Sequence, residues 1–324
     1  MVIDHKILVF LWRWKLVSGT AIAAKFFPKL SNHAANWHLS ELKRHNLIYP
    51  YNLNTKEAKV LWGLTAKGFK EIKDELPALS EDGFRSEHQI HDYYVTAFHL
   101  GDWLGDASKE CDMFSEQELR RCGLDHYPSW VPKNPIHRPD GYWNVSLPEG
   151  MATIAVEVEL KLKTAQDYRV TSMFYRDEPE IYRVVWMVPT IGHASKLRDG
   201  LAEGSPSNIG IHTFILKEDF LKSGWLAPIH FGTETGKSLS FLLGQRDSKT
   251  IQKVWTFSML DTRQFPHLSQ LYARFSDSPF SALGRHRLSY NPSPSETNFQ
   301  TRSLPPTNTT VSTTVKPGGT NHED

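Results

Sequence analysis

The chain has 324 residues, 40% of them hydrophobic and 23% charged, and a net charge of only +1. That balance suits two folded domains plus a tail, and no continuous run of about 18 apolar residues is present to cross a membrane. Two cysteines, Cys111 and Cys122, exclude a disulfide framework and a CxxC zinc or redox motif; with a start, Met1 to Lys6, that lacks the layout of a secretory signal, they predict a cytoplasmic protein.

Charge is unevenly spread. Residues 1–76 hold twelve Lys and Arg against six Asp and Glu, a net +6, which leaves −5 for the rest. A basic leading segment on a mildly acidic body predicts phosphate contacts by the first part. Its elements read helix, helix, helix, hairpin, helix. His5 to Leu16 carries Leu8, Leu11 and Trp12 on one helical face. Ser18 to Thr20 can cap a short helix that Pro28 stops. Ser31 or Asn32 caps a third helix to about Asn46, with Ala35, Leu39 and Leu42 inward and His33, Asn36, Ser40, Lys43 and Arg44 on polar flanks. Trp37 fits either the core or a contact with a thymine methyl group. Leu47–Tyr51 and Val60–Leu64 predict a hairpin with a polar loop, and Thr65 caps a last helix through Ile72.

The order, and the phrase Leu64-Thr65-Ala66-Lys67-Gly68-Phe69 after a hairpin, resemble a winged helix-turn-helix domain over residues 1–76. The resemblance implies that the third helix enters the major groove while the wing touches the DNA backbone. DNA contacts are then expected from Asn32, His33, Asn36, Ser40, Lys43 and Arg44, with Lys56 and Lys59 on the wing. Winged helices also serve as protein-binding modules, which leaves an adaptor as a further reading.

Residues 77–85 read as a linker. Beyond it, Ser86 to Leu104 is expected to be helical with Ile90, Tyr94, Ala97 and Phe98 on its apolar side. Strands are expected from Lys109 to Phe114, from His137 to Leu147 and from Ala152 to Lys163. A helix from Thr164 to Arg176, a buried strand from Ile181 to Val188, a helix from Ala194 to Leu201 and a strand from Ile211 to Leu216 complete the series.

Two motifs carry chemistry. Pro139-Asp140 lies shortly before Ile154-Ala-Val-Glu-Val-Glu-Leu-Lys161. On one continuous strand Glu157, Glu159 and Lys161 share a face, and Val156, Val158, Leu160 and Leu162 share the other. Carboxylates from two strands suit a hard divalent cation, which polarises a phosphate and activates water, with a lysine to assist. The catalytic set expected is therefore Asp140, Glu159 and Lys161. The metal, Mg²⁺ or Mn²⁺, is expected on Asp140, Glu159 and Glu157. The same alternation also describes an ordinary half-solvated strand. If Glu157 is the ligand, Glu159 falls where the lysine belongs and the motif is broken. Gln166, Tyr168 and Arg169, at the start of the next helix, are candidate phosphate contacts. Glu87 is a weaker candidate for a further carboxylate. His88 and His91 read as structural, and the basic loop Pro132 to Arg138 is placed to meet a DNA strand.

The αβββαβ order over residues 86–216, with Pro139-Asp140 and Glu159-Leu160-Lys161, is similar to the PD-(D/E)XK fold of restriction endonucleases. Together the two halves resemble the replication-relaxation family of plasmid and mobile-element proteins. His91, Arg138 to Gly141, Val156 to Glu159 and Tyr168 support that likeness. An α/β (α+β) chain results, a winged helix-turn-helix followed by a restriction-endonuclease-like domain. The resemblance implies a DNA-binding protein, either with a Mg²⁺-dependent endonuclease domain or as a non-catalytic accessory of plasmid mobilisation or replication. Double-stranded DNA, relaxosome or other mobile-element proteins and a second copy of the chain are the partners expected. No P-loop and no GxSxG elbow is present. Residues 217–285 suggest extra strands through Leu239–Leu243 and Trp255–Met259. Residues 286–324, rich in Ser, Thr, Asn and Pro, read as a disordered tail.

Overall fold

The computed structural model describes residues 2–28, 30, 32–53, 60–100 and 111–244. The expected strand at Trp255–Met259 and the tail at 286–324 lie outside the described residues, as does the wing loop with Lys56 and Lys59.

The basic segment builds α1 (Val2–Trp14), β1 (Val17–Ser18), α2 (Gly19–Phe26), α3 (Asn32–Arg44), β2 (Ile48–Tyr51), β3 (Leu61–Leu64) and α4 (Ala66–Ile72). The two strands of the hairpin and β1 form a three-stranded sheet in the order β1-β3-β2, all antiparallel. Caps sit where the sequence places them. The Ser18 side chain accepts a hydrogen bond from the Ala21 N–H, and the Thr65 side chain accepts one from the Gly68 N–H. Gly68 is required by contact, since a Cβ there would lie 1.9 Å from the Leu47 carbonyl oxygen. Ala35, Leu39 and Leu42 of α3 are buried on α1 and α2, as their spacing predicts.

The larger part is a six-stranded mixed sheet in the order β4-β5-β6-β7-β8-β9. Its strands are β4 (Cys111–Ser115), β5 (Gly141–Leu147), β6 (Gly150–Val158), β7 (Ile181–Val188), β8 (His212–Leu216) and β9 (Ile229–Phe231). The first three pair antiparallel, β6, β7 and β8 run parallel, and β9 closes the edge antiparallel. Helix α5 (Gln89–Leu100) covers one face, where Phe98 meets Trp143 and Phe220. Helices α7 (Ala165–Asp177) and α8 (Ile191–Gly204) cover the other, over Ala155, Val184 and Trp186. Parallel strands covered on both sides read as apolar runs, and Val184-Val-Trp-Met-Val188, the buried part of β7, is one.

Several boundaries differ from expectation. Strand β5 begins at Gly141, since Pro132, Pro135 and Pro139 deny the preceding loop its ladder donors. Strand β6 ends at Val158 rather than Lys163. Ile90, expected on the apolar side of α5, is 54% exposed. A short helix, α6 (Glu116–Arg121), stands between β4 and β5, opened by a Ser115–Glu118 capping box. Leu239 to Leu242 is a helical turn, α10, instead of a strand, and α9 (Lys217–Ser223) precedes β9.

All described elements belong to one compact unit. Helix α1 is shared: the Trp12 indole donates to the Gly83 carbonyl, Arg13 pairs with Glu118, and the Thr96 hydroxyl donates to the Trp14 carbonyl. At its end, the buried Lys15 ammonium lies 2.8 Å from Asp92 and 2.6 Å from Glu116. Residues 77–85 pack rather than hang free, with Phe84 stacked on Phe69 and the Ser80 N–H donating to the Arg121 carbonyl.

Removing one partner of a buried ion pair leaves the other charge uncompensated. Lys15→Met is expected to lose roughly 3 kcal/mol of unfolding free energy, and Glu116→Gln, on the half-solvated side, less than about 1 kcal/mol. Urea denaturation of both variants checks this, and equal losses would refute the ranking.

Candidate functional site

The C-terminal ends of the parallel strands and the turn before β5 bring four acidic or basic side chains together. Asp140 precedes Gly141, whose Cα pairs with Val156. One Asp140 carboxylate oxygen, Oδ2, accepts the Val158 N–H at 2.6 Å and lies 3.4 Å from His91 Nε2. That same His91 nitrogen donates to the Val158 carbonyl at 3.0 Å, and its Nδ1 lies 3.8 Å from Asp92. An imidazole between two carboxylates is held charged. Asp140 raises the His91 pKa to about 11 against its burial, and His91 in turn holds Asp140 below the usual range.

The backbone at Asp140 is locked as well. His99 is buried, and its Nδ1 accepts from the Trp143 indole at 2.8 Å. Its Nε2–H therefore donates to the Asp140 carbonyl, 3.1 Å away. Burial lowers the His99 pKa to about 4, which keeps this tautomer neutral. Gly141 is needed here because a Cβ would lie 2.5 Å from the His99 ring.

Glu157 faces the opposite side of the sheet from His91. Its Oε1 accepts from the Tyr175 hydroxyl at 2.5 Å and from His137 Nε2 at 2.6 Å. Glu159 is the first residue past β6, and its N–H still donates to the Met187 carbonyl of β7. Its side chain is buried and lies 3.1 Å from Lys163 Nζ. Burial raises the Glu159 pKa, and Lys163 opposes that rise.

Two expectations on this segment need correction. Glu157 and Glu159 do share the strand's face, yet they are buried rather than half-solvated, because α7 covers it. Lys161 leaves that face. The strand stops at Val158, the chain bends, and Lys161 is exposed without an ion-pair partner among the described residues. Lys163, four residues beyond Glu159, holds the place expected for Lys161. Leu162, expected inside, is 37% exposed.

Other candidates fall elsewhere. Tyr168 is buried, and its hydroxyl accepts the Lys163 N–H at 2.8 Å, which makes it a brace for the bend. Arg169 pairs with Glu203 at 2.5 Å, and Gln166 is exposed. Glu87 is exposed and paired with Arg120 at 3.1 Å. His91, read from the sequence as structural, is the partner of Asp140. The i, i+1 pair His91-Asp92 at the start of an apolar helix was the available signal. His137, Lys163 and Tyr175 carried none.

Each carboxylate of the set thus has its own cation or donor. Among the described residues, no group of three or more His, Cys, Asp or Glu side chains is arranged to hold a metal ion. As paired, His91 and Lys163 place positive charge beside Asp140 and Glu159, which opposes the Mg²⁺ or Mn²⁺ ion that the PD-(D/E)XK resemblance implies there.

At the other end, α3 presents His33, Asn36, Ser40, Lys43 and Arg44 exposed, with Asn32 at its first position. Trp37 belongs with them: it is 57% exposed and meets only the edge of His38. Arg44 is steadied by Glu41 at 2.7 Å, and the Lys67 ammonium donates to the His45 carbonyl.

No helix among the described residues is long and apolar enough to cross a membrane. No family model, curated protein or solved structure matches the chain.

Linkage fixes the sign of the pH response. The His91 contribution to stability is fully present below pH 6.5 and fades as pH rises through about 11. Asp92, lowered to about 2 by His91 and Lys15 against its burial, contributes above about pH 4 and loses that contribution as pH falls through about 2. In ¹⁵N NMR, His91 is expected to stay doubly protonated at pH 8, where unperturbed histidines have titrated. A neutral His91 at that pH would overturn the pairing.

Proposed function

We propose that the chain is a DNA-binding accessory protein, a winged helix-turn-helix reader on a restriction-endonuclease-like body that does not cut. The observation that carries it is the exposed face of α3, where Asn36, Trp37, Ser40 and Arg44 stand side by side on a segment of net +6. The sheet order β1-β3-β2 behind three helices is what a winged helix requires. Asn and Arg suit base edges, Trp suits a thymine methyl, and Lys43 suits phosphate. The order of α5, β4, β5, β6, α7, β7, α8 and β8 supports the second half of the reading. A cytoplasmic partner in plasmid mobilisation or replication remains the context that the resemblance implies.

The non-cutting part rests on the pairing of the carboxylates. A metal at Asp140 would have to share that carboxylate with His91, and one at Glu159 would have to share it with Lys163, whose positive charges oppose it. A specific observation also favours a Mg²⁺-dependent nuclease as a second reading. Asp140, Glu157, Glu159 and Lys163 gather at one strand end, since Glu157 and Glu159 flank Val158, whose N–H donates to Asp140, and Glu159 lies 3.1 Å from Lys163.

Fluorescence anisotropy with a mixed-sequence duplex tests the reader. Affinity is expected to fall steeply between 50 and 200 mM salt, and Trp37→Ala and Asn36→Ala are each expected to cost about 1–3 kcal/mol on a preferred site. Salt-independent affinity would refute DNA recognition. Supercoiled plasmid incubated with Mg²⁺ or Mn²⁺ is expected to stay intact. Nicking by the wild type that Asp140→Ala and Lys163→Ala abolish would establish the nuclease instead.

A further inference from the structure

A cavity of about 130 Å³ opens between α6, the loop at 132–139 and the first residues of β5, apart from the four-residue cluster at the strand ends. Its lining is one-sided in charge. Arg120, His137 and Arg138 line it, and no Asp or Glu among the described residues does. The chain as a whole is balanced, with 37 Lys and Arg against 36 Asp and Glu. A concave space lined by three basic side chains, of which Arg138 has no ion-pair partner among the described residues, favours an anion.

The groups are held differently. His137 is held from behind by the buried Glu157, 2.6 Å from its Nε2, and by the Phe174 and Tyr175 rings, so it forms a fixed edge of the cavity. Arg138 is exposed and has no ion pair among the described residues. Arg120 is paired with Glu87 at 3.1 Å, but Glu87 is more than half exposed, and solvent weakens that pair. The walls between them are Tyr127 and Tyr142, backed by Pro139, which gives the cavity little freedom to collapse.

Size narrows the class of anion. Pockets that enclose drug-sized ligands run to roughly 300–1,000 Å³, so this one takes a group rather than a whole nucleotide. Arginine forks match phosphate oxygens in pairs. We propose that this cavity is a phosphate-monoester site, filled by the phosphorylated end of a DNA strand or by free phosphate. The strand-end version rests on the DNA-binding reading above; the chemistry of the site does not.

The test compares three ligands on the full chain. These are a blunt duplex carrying 5′-phosphates, the same duplex without them, and inorganic phosphate followed by calorimetry. The phosphorylated duplex is expected to bind at least about tenfold more tightly than the bare one, which corresponds to ~1.4 kcal/mol. Arg138→Ala is expected to remove that difference, so that both duplexes bind the variant alike. Arg120→Gln serves as the second variant, with thermal melting to confirm that both fold. Inorganic phosphate that binds the wild type but not Arg138→Ala, with no gain from phosphorylated ends, supports the site with free phosphate as its occupant. Equal affinity for both duplexes together with no phosphate binding overturns the proposal. Phosphate binding without any duplex binding would remove the DNA-reading premise and leave the cavity's assignment standing.

Discussion

The described structure depends on a buried alternation of charge that runs through two adjacent residues of α5. Lys15 at the end of α1 faces Asp92, Asp92 faces His91, and His91 faces Asp140. Positive and negative groups alternate from the basic segment to the edge of the large sheet. No member is stable in the core alone, because burying a single ion costs several kcal/mol. The sequence therefore commits three separate segments to one arrangement. Polar chains of this kind add little net stability over an apolar packing, but they penalise every alternative in which one partner is missing.

That alternation also decides what the strand ends can do. Carboxylates placed where parallel strands end are where α/β sheets usually present chemistry. Here the Asp140 carboxylate is held by His91 and the Val158 N–H, Glu157 by Tyr175 and His137, and Glu159 by Lys163. A protein that binds a dication with such groups leaves the charge of the acids in excess. Here each acid has a partner on the protein that a metal ion would compete with, and on the reading proposed above that makes a scaffold rather than a metal site. The same folded frame can host either.

Much of the fold was legible in the sequence, because periodicity and caps are local. Ala35, Leu39 and Leu42 marked the inner face of α3, Thr65 marked the start of α4, and the Val-rich run marked β7. The candidate site was legible only up to Val158. The alternation through Val156, Glu157 and Val158 is a true strand pattern, and a reader of sequence has no reason to stop it there. What stops it is tertiary: the Glu159 N–H still reaches Met187, after which the Tyr168 hydroxyl takes the Lys163 N–H and turns the chain. A lysine two residues on would be needed in a strand, whereas a bend brings back the lysine four residues on. The structural reading of His91 stands, but its partner was not legible, for a related reason. A histidine on an apolar helix has no local mark that distinguishes packing from pairing, and its partner Asp140 is 49 positions away. Burial of both glutamates likewise depends on α7, which the strand's own pattern does not encode.

The sharing of α1 carries a mechanical consequence. Arg13, Trp12 and Lys15 all lie near one end of that helix and all reach across to the body, while Asp4 near its other end pairs with His38 of α3. If α3 is the DNA reader proposed above, it has no hinge among the described residues in which to spend binding energy. Duplex DNA engaged by α3 would meet the body at one fixed orientation, set by the folding of α1 rather than by the nucleic acid. A second contact between body and DNA then gains from a high effective concentration where the geometry allows it, and is lost altogether where it does not. On the DNA-binding reading proposed above, holding DNA in one orientation would be a function in itself, since partners assembled on it would inherit that geometry.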